Sequence, residues 1–267
     1  MSARTYQLLW AEEFDGAKGS AIDLATWNYN LGDGTEYGIP GWGNSEREYY
    51  VEEAAKLDGE SNLVVTAIRL PADNPYSCYY GPAAEWQSAK LTTFNKVHFR
   101  YGRVEGRLRI PSGLGTWPAF WMLGTNIESV PWPSCGEIDI MEARGDLPTT
   151  LYGTVHGPGY FGDHGLGKTI ETPTPLAEGF HTFAIDWLPG EITWFLDGVE
   201  YQRLSADQAK PNEWVFDHDF YLILNLAMGG HFTGPIDPDL NQAQYLLDYI
   251  RFFSIDGVGQ VKAPVSL

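Results

Sequence analysis

Along this chain, short runs rich in β-branched and aromatic residues alternate with clusters of Gly, Pro, Asn and Asp, and helical periodicity is nearly absent. The runs SNLVVTAIRL (61–70), KVHFRYGRVEGRLRI (96–110), WPAFWML (117–123), EIDIMEA (137–143) and LYGTVHG (151–157) read as strands or hairpins. So do HTFAIDWL (181–188), EITWFLDGVEYQ (191–202), FYLILNLAMGG (220–230) and YLLDYIRFF (245–253). Only LSADQAK (204–210) suits a turn or two of helix. Many short strands without helices can bury their apolar faces only against one another, so the expectation is all-β, with two packed antiparallel sheets in a sandwich or jelly roll. With no internal repeat, charge block or Ser/Gly linker, residues 1–267 read as a single domain.

The stretch GEIDIMEARG (136–145) fits such a strand poorly. Side chains alternate faces with period two, so Glu137 and Asp139 share a face while Glu142 falls on the apolar side with Ile138 and Ile140. One extra residue, a β-bulge around Ile140 and Met141, returns Glu142 to the face of the other two. The outer glutamates are then about four strand steps apart, ~13 Å along the backbone. Their side chains can close that gap to about the 5–5.5 Å used by glycosidases that retain anomeric configuration. Three carboxylates so close cannot all ionise cheaply, so one tends to keep a proton. Glycoside hydrolysis needs that pairing of a nucleophilic carboxylate with a proton-donating carboxylic acid. Asp139, between them, can orient the nucleophile and couple the titrations. The strand alone leaves open which of Glu137 and Glu142 takes which part. A solvent-facing acidic strand and a metal site are the bland readings, but a hard cation such as calcium draws oxygens from several loops rather than from one strand.

Parity also sorts the neighbouring strands. Trp117, Ala119 and Trp121 share one face, opposite Pro118, Phe120 and Met122; one side is core and the other a ligand floor. Tyr152, Thr154 and His156 form a polar set, and Asn225 sits inside an apolar strand where it needs a partner.

Charge narrows the ligand. Thirty-five acidic against 17 basic side chains give a net charge of -18, which disfavours nucleic acid and anionic membranes. No apolar run reaches the roughly 18 residues of a membrane span. A neutral ligand fits better, and 10 Trp with 15 Tyr supply flat apolar faces for sugar rings as well as for the core. Cys78 and Cys135 have no metal-ligand spacing; they are either buried thiols or one disulfide. The start MSARTYQLLW lacks the basic and apolar regions of a signal peptide.

At these residues the chain resembles glycoside hydrolase family 16, and within it the bacterial laminarinases, which are endo-β-1,3-glucanases. The resemblance runs through WAEEFDG (10–16), GWGNSEREYY (41–50), SAKLTTF (88–94), YGRVEGRLRIPSGLGTWPAFWMLG (101–124), WPSCGEIDIMEARG (132–145), GTVHG (153–157), ILNLAMGG (223–230) and LLDYIRFF (246–253). It implies a concanavalin-like β-jelly roll with a cleft across the concave sheet. The E-x-D-x-x-E pattern implies Glu137 as nucleophile, Asp139 as its assistant and Glu142 as acid/base. Lichenases and xyloglucan transferases resemble the shorter E-x-D-x-E. The resemblance further implies sugar stacking by Trp117 and Trp121 and hydrogen bonding by Asn44, His156 and Asn225. The usual segment resembles WGNNELQYY, from which Ser45, Arg47 and Glu48 depart. It implies no catalytic cofactor, and a structural calcium ion on ligands resembling Glu13, the Gly59 carbonyl and Asp248. The expectation is a secreted, monomeric endo-β-1,3-glucanase acting on laminarin-type β-glucan with retention. The alternatives are a carbohydrate-binding β-sandwich without turnover, and a related enzyme for mixed-linkage glucan or agarose.

Overall fold

In the computed structural model, residues 4–263 are described. They form two sheets packed face to face, one of ten strands and one of nine. Across the ten-stranded sheet the main path runs Val199–Ser205, Glu191–Leu196, His181–Leu188, Gly102–Arg109, Gln242–Ile255, Leu63–Arg69, Trp86–Ser88 and Glu48–Tyr50. Across the nine-stranded sheet it runs Leu166–Glu171, Thr150–His156, Glu137–Ala143, Thr116–Gly124, Phe220–Met228, Lys90–Thr92 and Asn28–Asn30. Pairing is antiparallel throughout, except that Glu48–Tyr50 lies parallel to Trp86–Ser88. This is the all-β sandwich expected from the strand pattern.

The long run at 96–110 is not one strand. His98–Arg100 joins the nine-stranded sheet and Gly102–Arg109 the other, because the chain turns sharply where Tyr101 and Gly102 take φ of 57° and 84°. A Cβ on Gly102 would come within 2.5 Å of the Phe253 carbonyl oxygen, so glycine is required there. The expected helical turn is Ala206–Ala209, begun by a capping box between Ser205 and Gln208. Among the described residues, no helix is long and apolar enough to cross a membrane.

Between the sheets lies one large core that includes Trp27, Trp86, Trp187, Trp194, Phe120, Phe183 and Phe220. Phe120 and Met122 enter it from Thr116–Gly124, leaving Trp117 and Trp121 half-buried on the opposite face. Core packing therefore fixes which side of the nine-stranded sheet faces outward with indoles and acids. Cys78 and Cys135 are free thiols.

Candidate active site

The strand Glu137–Ala143 runs between Thr116–Gly124 and Thr150–His156, and its register slips once. Asp139 faces Trp121 and Thr154, and Glu142 faces Ala119 and Tyr152. Ile140 and Met141 stand where the partner strand offers only Gly153, which is the bulge the sequence required. Directly paired residues share a face, so Glu137, Asp139 and Glu142 lie together with Trp121, Thr154 and His156, while Ile140 and Met141 are buried in the core.

A bulge releases backbone carbonyls from the ladder, and here they are satisfied from behind. Trp194, on the opposite sheet, donates Nε1–H to the Asp139 carbonyl at 2.8 Å. Gln202 donates Nε2–H to the Gly153 carbonyl at 2.9 Å. Both donors are buried, so the irregularity carries no unpaired carbonyl at these two positions.

Each outer acid is held by an indole. Trp117 Nε1 donates to Glu142 Oε1 at 2.9 Å, and Trp132 Nε1 donates to Glu137 Oε2 at 2.7 Å. His156 Nε2 lies 3.1 Å from Asp139 Oδ2 and 3.8 Å from Glu137 Oε1. Burial, with the charge of Glu137 added, pushes Glu142 up to about 7. Burial and the charges of Glu137 and Glu142 push Asp139 well above the usual carboxylate range. Burial alone would lower His156, but the contact with Asp139 and the charges of Asp139, Glu137 and Glu142 overcome it and raise the imidazole to about 9. A proton in this cluster is therefore shared among coupled neighbours, and Glu142 is the carboxyl poised to give or take one near neutrality.

Asn225 and Asn44 join the site through a hydrogen-bonded chain. Trp121 Nε1 donates to Asn225 Oδ1 at 2.7 Å, and Asn225 Nδ2 donates to the Tyr50 hydroxyl at 3.3 Å. The Tyr50 hydroxyl donates to Glu46 Oε2 at 3.3 Å, and Glu46 Oε1 accepts from Asn44 Nδ2 at 3.1 Å. The residues that depart from the usual segment find partners of their own. Ser45 Oγ lies 3.0 Å from His231 Nε2, Arg47 pairs with Glu85, and Glu48 accepts from the Met228 N–H at 2.7 Å.

The sequence reading thus located Glu137, Asp139, Glu142, Trp117, Trp121, His156, Asn225 and Asn44, and the structure brings them together. It missed Trp132, Tyr50 and Phe232. Trp132 stands five residues before Glu137, inside a segment whose strand pattern gave no reason to look outside the strand. Phe232, on the short helix Gly230–Thr233, packs its ring 4.8 Å from Trp117 and 5.0 Å from Tyr152.

Ligand atoms of Glu137, Asp139 and His156 lie within 4.8 Å of one another and could touch one metal ion, although Trp132 already occupies one Glu137 oxygen. The expected calcium ligands have protein partners in this structure. Both oxygens of Glu13 accept from Arg251 at 2.8 Å, and Asp248 is paired with Arg107. Gly59 sits in a turn with φ of 83° beside Lys18. A calcium ion there would take carboxylate oxygens that now accept from Arg251 and Arg107, so a calcium site at these residues is not shown.

An acid pair on the outer face of a β-sandwich, flanked by indoles, defines a glycoside hydrolase site. The chain belongs to glycosyl hydrolases family 16, whose family profile matches residues 42–251. The beta-glucanase of Rhodothermus marinus is 39% identical over 93% of this chain and 85% of its own length. The glucan endo-1,3-beta-glucosidase of Cryptopygus antarcticus is 38% identical over 86% and 83%. The laminarinase catalytic domain of Thermotoga maritima superposes with a TM-score of 0.87 at 43% identity, covering 93% of this chain and 98% of that one. The two sheets are accordingly those of the family's jelly roll.

Proposed function

We propose that the chain is an endo-acting β-1,3-glucanase, a single catalytic domain that cleaves internal bonds of laminarin-type glucan by double displacement with retention. The observation that carries this reading is the bulge, which sets Glu137 and Glu142 on one face with Glu142 raised to about 7. The names of the relatives supply the linkage.

In the first step Glu137 attacks the anomeric carbon while Glu142 gives its proton to the departing glycosidic oxygen; the C–O bond breaks and a glycosyl ester forms. In the second, Glu142 takes a proton from water as the water oxygen displaces the Glu137 carboxylate from the sugar. Both glutamates return to their starting states. Asp139 and His156 act on Glu137: His156, cationic below about 9, keeps the neighbouring acids from repelling one another outright. Trp117 and Trp121 offer ring faces to the sugar, and Asn44, His156 and Asn225 its polar partners. No cofactor enters, and the calcium expected from the resemblance has no part in the cycle. Secretion belongs to the same proposal, because a polysaccharide of this class is met outside the cell.

The test is product analysis on laminarin, mixed-linkage glucan, agarose and carrageenan. Laminarin should release reducing ends with the β-anomer first, and Glu137→Gln or Glu137→Ser should bind oligosaccharide without turning it over. Near-normal activity in either variant would overturn the roles; release from agarose alone would overturn the substrate. Binding of laminarin with no reducing ends from the native chain would favour the recognition module instead.

A further inference from the structure

Glu48 is a fully buried acid that the proposed cycle does not use. It opens the strand Glu48–Tyr50, and one of its oxygens, Oε2, accepts from the Met228 N–H at 2.7 Å. The other, Oε1, is buried with no N–H or hydroxyl donor among the described residues. Against it lies a second buried acid, Glu46, 5% exposed and within hydrogen-bonding reach. Both Glu46 oxygens already accept, from Asn44 Nδ2 at 3.1 Å and from the Tyr50 hydroxyl at 3.3 Å.

Two buried carboxyls in contact cannot both be ionised without a matching pair of cations. The groups facing Glu48 are Glu46 and Tyr50 on its own segment, Tyr79, and Lys90 on the floor strand, where Glu137 also acts on the lysine. The neighbouring strand Trp86–Ser88 brings no titratable side chain, and Arg47 is paired with Glu85 at the surface. One ammonium thus faces two acids, so one acid keeps a proton. Glu46 accepts twice, whereas Glu48 has an oxygen with no donor, so the proton belongs on Glu48 and is aimed at Glu46. Burial and the charge of Glu46 push Glu48 in the same direction.

Resting on the β-1,3-glucanase reading, we propose that Glu48 is a positioning residue for sugar binding: its carboxylic acid donates to Glu46 and so fixes the side chains that Glu46 holds. One branch ends at the Asn44 amide, and the other runs through Tyr50 and Asn225 to the Trp121 indole. Both ends are sugar-facing groups of the proposed site. When Glu48 loses its proton the donor disappears and two like charges meet, so Glu46 turns away and both branches loosen. Glucan binding therefore weakens as pH rises, by a route that does not pass through Glu142.

The test is binding of a β-1,3-gluco-oligosaccharide, read by tryptophan fluorescence from about pH 5 to about pH 10, below the melting temperature at each pH. Glu137→Gln, which blocks turnover, is compared with the double variant that adds Glu48→Gln. An amide at position 48 donates to Glu46 and accepts from Met228 at every pH, so it stands in for the protonated acid. The two Kd values should agree at the acid end and part as pH rises, the protein with Glu48 binding about fivefold more weakly at the alkaline end. Coincident curves would overturn the proposal. A ratio constant with pH would do so too, because packing alone would give it. Should Glu48→Gln fail to fold, Glu46→Gln decides: it removes the opposing charge, so the alkaline weakening should vanish, and its persistence would overturn the pairing. No oligosaccharide binding at any pH would strike the β-1,3-glucanase reading itself.

Discussion

The indole of Trp117 donates to Glu142 across 2.9 Å, and the same ring packs against Phe232. A donor to a carboxylate favours its ionised form, so Trp117 holds Glu142 below where burial and Glu137 alone would set it. Trp117→Phe keeps the packing and removes the donor. The alkaline limb of kcat/KM should then move to higher pH, with a stability change of about 1 kcal/mol. A limb that stays in place would show that the indole does not govern this acid.

In the proposed cycle Glu142 is protonated for the first step, so activity should fall as pH rises through about 7. Glu142→Ala should lack that limb, turn over poorly, and be partly rescued by azide, which attacks the glycosyl ester without needing a base. Absence of a glycosyl azide among the products would count against the acid/base role.

Trp194 and Gln202 never meet the substrate, yet they carry the two carbonyls at the bulge. Trp194→Phe leaves the Asp139 carbonyl buried and unpaired, at a cost of about 1–3 kcal/mol. Denaturant unfolding should register that loss. Kinetics should show kcat falling with KM nearly unchanged, since the acids shift while the sugar-contacting rings stay. If stability drops with kcat intact, the indole supports the core alone.

Glu48 is fully buried, and burial together with the charge of Glu46 raises its carboxyl well above the ordinary range. A carboxyl raised in the folded state binds protons that the unfolded chain has lost, so stability falls as pH climbs from the ordinary glutamate range toward the raised value. Glu48→Gln should therefore melt higher than the native protein at neutral and mildly alkaline pH, and the difference should vanish below about pH 4. Melting curves across pH decide it; parallel curves would refute a protonated Glu48.

Much of this site was legible in the sequence because its geometry is local. Glu137, Asp139 and Glu142 lie on one strand, so period two alone exposed the conflict that only an extra residue resolves. Trp117 and Trp121 were sorted from Phe120 and Met122 by the same rule. Contacts between distant segments were not legible. The Trp121, Asn225, Tyr50 and Glu46 chain joins residues from three parts of the sequence. The break at Tyr101 depends on a positive φ in a non-glycine residue, which no strand pattern announces. Nor were the partners of Glu13 and Asp248 legible, because Arg251 and Arg107 reach them only once the strands have paired.

The side chains that hold the kink in the acidic strand come from the far sheet, so the spacing of the reacting pair is gauged from within the protein rather than along the groove. Interior substitutions there should retune turnover while leaving recognition intact. A search for variants with altered bond-breaking speed but unaltered taste in glucan would do best to begin behind the floor.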